Sequence, residues 1–461
     1  MKEFKENKIF ANIIIGSCIL ILVYLLISIY FISHFNFGTI INGVNISGKT
    51  ISKANEKISN KIGSYKLELK ERGGIIEEIS GDDINLTYYS NNKVQMIKQG
   101  QNAFSWIGGI VSKKDYKVPG MILYDKELLK LKFSNLSCIS GGNIVNPSNA
   151  RFEYVDEGYI TIEEVYGNKI NEDILYKSIE ESITFGEIVI NLEEINVYEN
   201  PKYVSSSKEV IDAKNILDKY NSSEIIYTFK EEKEIVDGRK INTWININEN
   251  LEVRIDEKGV KNYIDKLARK YNTVGNTRDF KTAYGKEIQV YGGYYGWKIN
   301  VPGEVDALIG NIKNGETITK EPLYLQTAID RGRDDIGDTY VEISIERQYL
   351  WFKKDGKIIA EGDIVTGDTN RGFKTNIGTY MLNYKQKGAV LEGENYSSKV
   401  KYWMPFNGNI GIHDASWRYS FGGNIYKENG THGCVNVPEY LAKKIFENIE
   451  DGTPIICYSD W

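Results

Sequence analysis

Two of the three histidines and one of the four cysteines of this 461-residue chain fall in one stretch, "HDASWRYSFGGNIYKENGTHGCVNV", running from His413 to Val437. A lone His or Cys is most often structural. Two scarce residue types converging on Gly-rich sequence point instead to chemistry. A thiolate is a strong nucleophile, and a neighbouring imidazole activates the thiol by taking its proton. Gly433, just before Cys434, would let a substrate approach closely and leave backbone N–H groups for an oxyanion. A metal site built from His413, His432 and Cys434 is the competing reading, because three ligands leave an open coordination position. Against it, the His432-x-Cys434 spacing is not a common zinc spacing, and no second Cys lies nearby.

The elements that must hold these residues are legible around them. From residue 338 onward "YVEISIERQYLWFKKDGKIIAEGDIVTG" alternates apolar and polar residues, with Asp355-Gly356 at a hairpin turn. Gly-punctuated strands follow ("IGTYML", "GNIGIH"), then a helix over 438–449 and a last strand over 454–458. This predicts a β-rich domain spanning 338–458, entered through the polar linker "AIDRGRDDIGDT" (328–339).

Upstream lies a duplication. "VYGNKIN" (165–171) matches "YYGWKIN" (294–300), and the same offset aligns Gly186-Glu187 with Gly315-Glu316. Each copy reads as an Asp-initiated helix, strands, a Y-G-x-K-I-N turn and a second helix. Two α+β modules over 75–203 and 210–328 account for this. Neither carries a His or a nucleophile–base pair, so their expected role is scaffold or ligand binding.

Residues 9–32, "IFANIIIGSCILILVYLLISIYFI", carry no charge and exceed the roughly 20 residues that cross a bilayer. Lys2, Lys5 and Lys8 flank the N-terminal side (residues 1–8), and no Lys or Arg follows until Lys49. The positive-inside rule then predicts a single-pass anchor with a cytoplasmic N-terminus and everything after it extracytoplasmic. Four cysteines are too few for a disulfide framework in an exported protein of this length. A net charge of −6 gives no footprint for nucleic acid.

One motif points elsewhere. Gly43, Gly48, Lys49 and Thr50 in "INGVNISGKT" match the spacing G-x-x-x-x-G-K-T of a phosphate-binding loop. The match sits just outside the anchor, with no βαβ alternation around it and with bulky Val44 and Ile46 at variable positions. The segment 33–74 therefore reads as a membrane-proximal stalk: a strand, a turn, and a helix capped by Thr50. No nucleotide partner is expected.

At "IGIHDASWR…NGTHGCVNVP" the chain resembles the L,D-transpeptidases of the YkuD family, whose signature is a His followed by [S/T]-H-G-C-hydrophobic-[R/N]. "YVEISIERQYLWFKKDGK" and "VTGD…KTNIGTY" resemble the same family's earlier strands. Asn376 stands where that family has Pro, which bears on the stiffness of a turn away from the signature. The duplicated modules resemble peptidoglycan-binding-type repeats of the VanW-like and YkuD sets. The implied fold class is α+β, with an anchor helix, two duplicated modules and a sandwich-like β-rich catalytic domain.

The resemblance implies that Cys434 attacks the carbonyl of the L-centre of the third residue of a stem peptide, expelling the terminal D-Ala. His413 accepts the thiol proton, and the carbonyl of Asp414 orients its ring. Gly433 and Cys434 N–H groups hold the oxyanion, while His432 and Thr431 support the loop. Attack on the thioester by the amine of a second stem gives a 3→3 cross-link; attack by water gives an L,D-carboxypeptidase. The remaining alternative is a non-catalytic wall-binding protein. Tyr402, Trp403, Trp417, Tyr419 and Asn436 are candidates to line the donor groove, with core packing the competing role for the aromatics. Neither metal nor cofactor is implied, and the partners are peptidoglycan stems and the cell membrane.

Overall fold

A computed structural model describes residues 2–89, 91–331, 335–393 and 396–459; Met1 and residues 332–334 of the charged linker lie outside the described residues. The chain forms two compact units, Met1–Phe152 with Thr161–Val210, and Glu153–Ile160 with Ile211–Trp461.

The first unit opens with a helix, Lys2–Ser33, whose stretch from Lys8 is long and apolar enough to cross a membrane. The Gly43–Thr50 segment is a hairpin turn and a helix cap. Asn42 and Gly43 take positive φ between the paired strands Thr39–Ile41 and Val44–Asn45. Val44 and Ile46 are buried, and Thr50 Oγ1 accepts from Lys53 N at 3.4 Å to start the helix Ile51–Gly63. A three-stranded sheet follows, with Lys66–Lys70 between Ile76–Ser80 (antiparallel) and Val189–Asn191 (parallel). Its central strand lies ahead of residue 75, so the first module draws on the membrane-proximal segment.

The second unit contains the same sheet again. Glu224–Phe229 pairs antiparallel with Glu232–Val236 and parallel with Thr317–Lys320. The duplicated "KIN" turns have one structural cause in both copies. Asn171 and Asn300 cap the helices Glu172–Phe185 and Val301–Asn314, and Gly186 and Gly315 end them in left-handed conformation.

Among the described residues the β-rich domain contributes nine strands: β1 (Tyr340–Ser344), β2 (Tyr349–Lys354), β3 (Lys357–Asp363), β4 (Gly378–Met381), β5 (Gln386–Gly393), β6 (Tyr396–Asn407), β7 (Ile410–Asp414), β8 (Val435–Val437) and β9 (Pro454–Tyr458). They form two sheets, in the orders β3-β2-β1-β9-β4 and β5-β6-β7-β8. Between the sheets lie Val341, Ile343, Leu350, Phe352, Met404, Phe406, Ile412 and Val435, with Leu441 and Ile445 from the helix Glu439–Asn448.

The alternation in β1 implies an exposed polar face, yet all five of its residues are buried. There Tyr340 joins a buried cluster with Phe280 and Val290 of the second module and Ile456 and Tyr458 of β9. The polar linker is tied into the fold as well. Asp335 is buried and accepts from Arg278 Nε at 2.7 Å and Nη2 at 3.0 Å.

Candidate active site

His413 and Cys434, well apart in sequence, come together because β7 and β8 pair in parallel. Ile412 faces Val435 and His413 faces Asn436, so Cys434 immediately precedes β8 beside the start of β7. The two strands are short and buried, which leaves little freedom in the placement of either side chain.

His413 is 4% exposed. Its Nδ1 lies 2.8 Å from the carbonyl oxygen of Asp414. A carbonyl only accepts, so Nδ1 carries the proton and Nε2 is left as the acceptor. Asp414 is itself locked, since its buried carboxylate accepts from the N–H groups of Lys401 and Tyr402, each at 2.8 Å. Burial holds the His413 imidazole below its ordinary pKa, partly opposed by the hydrogen bond to Asp414. Burial likewise pushes the Cys434 thiol up, partly opposed by the N–H of Gly411. Both shifts favour the uncharged forms, a thiol and a neutral imidazole.

The loop before Cys434 is pinned by two threonines. Thr431 Oγ1 donates to Cys434 O at 2.5 Å and accepts from Gly433 N at 3.0 Å. Thr375 Oγ1 donates to Gly433 O at 2.7 Å and accepts from Gly367 N at 3.0 Å. Gly433 has φ +117°, where side chains are strained, and a Cβ there would sit 3.1 Å from Ile410 Cδ1. The expectation that Gly433 offers its N–H to an oxyanion meets a different geometry, because that N–H is engaged by Thr431.

A cavity of about 210 Å³ holds His413, His432, Cys434 and Asn436, with Trp417 and Arg418 at its side. Of the candidate groove residues, Trp417 lines this cavity and is half-exposed, while Asn436 lines it from a buried position. Trp403 is buried with its ring centroid 5.8 Å from that of His413. Tyr402 is not brought to the cavity; it packs in the core against Phe446. Tyr419 is fully exposed. His432 meets the edge of Phe373, centroid to centroid 4.5 Å, which suits a brace.

His413, His432 and Cys434 do not lie close enough together to form a metal-ligand group among the described residues; the group that does is Glu71, Glu77 and Cys138 in the first module. Two residues escaped the reading of the motif. Thr375 sits in "KTN", where nothing but proximity in space links it to Cys434. Arg418 lies inside the signature's variable stretch, donates to Asn429 O at 2.8 Å and brings a guanidinium to the cavity.

The other cysteines are placed differently. Cys457 is fully buried on β9, where burial raises its thiol pKa, and Cys138 is buried with its thiol pushed up to about 12.

A family model described as the L,D-transpeptidase catalytic domain (YkuD) matches residues 338–457. One described as a putative peptidoglycan binding domain matches residues 77–189 and 203–319. Among solved structures, the chain is similar to the Ldtfm–avibactam carbamoyl enzyme, at 33% identity, covering 55% of this chain and 99% of that one with a TM-score of 0.44. It is similar to a cysteine-to-serine mutant of the Enterococcus faecium L,D-transpeptidase, at 33% identity, covering 54% and 100% with a TM-score of 0.44. The catalytic domain of the E. faecium L,D-transpeptidase acylated by ertapenem is 40% identical, covering 26% of this chain and 97% of that one with a TM-score of 0.25. No curated protein matches the chain.

Proposed function

Since the chain belongs to the L,D-transpeptidase (YkuD) family, with putative peptidoglycan binding domains ahead of its catalytic domain, we propose that it is a membrane-anchored enzyme that forms 3→3 peptidoglycan cross-links through a Cys434 thioester. The observation that carries this reading is the His413 Nδ1 contact with the Asp414 carbonyl, which leaves Nε2 as a base in the cavity that holds the thiol.

In the proposed reaction Nε2 of His413 takes the thiol proton as sulfur attacks the carbonyl carbon of the third stem residue. The bond to the terminal D-Ala nitrogen then breaks, and the imidazolium returns the proton to that leaving amine. The N–H of Cys434 itself is the expected oxyanion donor, because that of Gly433 is committed to Thr431. The amine of a second stem attacks the thioester, His413 takes a proton from it, and the thiol is regenerated.

Thr431, Thr375 and His432 act as positioning residues for the loop. Trp417, Arg418 and Asn436 are the expected donor contacts, with Arg418 suited to a stem carboxylate. The catalytic domain would span 338–458 and the two modules 75–203 and 210–328, with the N-terminus cytoplasmic and the rest facing the wall.

Mass spectrometry of products from disaccharide-tetrapeptide tests the proposal. Wild-type protein should yield a dimer lacking one D-Ala, and the Cys434→Ala variant none. D-Ala release without a dimer would identify a carboxypeptidase. Equal dimer from both proteins would remove Cys434 from the reaction.

A further inference from the structure

The largest difference in length between the two modules lies in one place. Between the sheet hairpin and the following helix, residues 81–125 of the first answer to only 237–256 of the second. The extra residues include "QNAFSWIGGIV", 101–111, built as two short turns at Ala103–Ser105 and Gly108–Val111. These expose four large apolar side chains within eight residues: Phe104, Ile107, Ile110 and Val111, the last at 91%.

This segment is fastened to the apolar N-terminal helix. Tyr24 Oη donates to Phe104 O at 2.6 Å, and Trp106 Nε1 donates to the buried Ser28 Oγ at 3.2 Å. The rings of Phe31, Phe37 and Trp106 pack together, with centroids 4.9 to 6.2 Å apart. Gly109 permits the closest approach, since a Cβ there would lie 1.8 Å from Phe37 O. The N–H groups of Phe104, Ser105, Gly109 and Ile110 bond within the segment, and that of Ser112 just after it bonds back to Gly108 O.

The level of this attachment identifies the occupant. A helix crosses the hydrocarbon core in roughly 20 residues. Counted from Ile9, after Lys8, the span reaches Ser28. Tyr24 and Ser28, which hold the segment, thus lie in the outer part of the span, where a water-soluble partner cannot reach. Exposed Lys113 and Lys114 follow directly, as anionic headgroups would favour.

We infer that residues 104–111 form a second membrane-contacting element, a wedge that enters the outer leaflet beside the helix with lipid acyl chains as its occupant. The inference rests on the reading of that helix as a membrane anchor. Two contacts, rather than one, would fix the attitude of the first module at the bilayer surface.

The full chain carrying Cys18→Ser and Cys434→Ala, reconstituted in phosphatidylethanolamine/phosphatidylglycerol liposomes, provides the test. A fluorophore is placed on Ile107→Cys or Val111→Cys, with Leu20→Cys as the anchor control and Tyr419→Cys as the aqueous control; Cys138 and Cys457 are buried. The expected result is several-fold quenching of labels at 107 and 111 by acyl-chain nitroxide lipid, with little quenching by iodide. Iodide quenching there as strong as at 419, with the label at 20 shielded, overturns the wedge and leaves the anchor standing. Shielding from both quenchers means a second copy of the chain covers the patch, and also overturns it. Iodide quenching at 20 overturns the anchor, and the wedge with it.

Discussion

At the scale of single residues, one physical cause sets the protonation of both proposed catalytic groups. Burial disfavours charge, so it lowers the His413 pKa below 6.5 and raises that of Cys434 above 9.0. The neutral base therefore persists as pH falls through 6.5, and the thiol persists as pH rises through 9.0. We expect kcat/KM for a tetrapeptide donor to be flat across that window, with an acid limb below 6.5 that belongs to His413. A rate rising steadily from pH 7 to 9, as a free thiolate would give, contradicts the neutral pair. Sequence singled out Cys434, His413 and the Asp414 carbonyl for their proposed roles because those follow from a short motif. It could not find Thr375, which reaches Gly433 across a gap of 58 residues. Nor could it separate Tyr402 from Trp417, since an aromatic beside a motif looks the same whether it points into the core or the cavity.

At the scale of elements, the duplication was legible because helix ends carry local chemistry. Asn at the cap and Gly past the end are required by backbone N–H groups and by left-handed φ, not by tertiary context. Asn300→Ala should cost about 1 kcal/mol, read as a lower denaturant midpoint at unchanged slope, while Asn300→Ser should restore most of it. A loss no greater than for an exposed Ala substitution would mean that the cap is idle. The central sheet strand Lys66–Lys70 was harder to assign. Its parallel partner, Val189–Asn191, lies more than a hundred residues on, so nothing local marks where the first module begins.

At the scale of the whole molecule, the second module and the β-rich domain share buried charge. Glu342 on β1 is fully buried and accepts from the N–H of Ala283 at 2.9 Å and from Tyr458 Oη at 2.6 Å. Arg278 and Asp335 pair at 2.7 Å with both side chains nearly inaccessible. Removing one partner strands a buried charge, so Arg278→Ala should destabilise by about 3–5 kcal/mol and lower the Tm of the full chain. An unchanged Tm would show that the two parts do not depend on this contact.

The sequence by itself determined the family resemblance, the candidate nucleophile and base, the apolar helix and the repeat, because each is written in neighbouring residues or in a regular period. It also carried a phosphate-loop spacing at Gly43–Thr50, which the structure builds as a hairpin turn with Val44 and Ile46 buried and Thr50 capping a helix. Only the tertiary structure decided which N–H near Cys434 is engaged, which aromatics meet the cavity, and that Glu342 and Asp335 are interior. Those outcomes depend on groups brought together from distant parts of the chain, and burial and hydrogen-bond competition are properties of such neighbours rather than of the residues themselves.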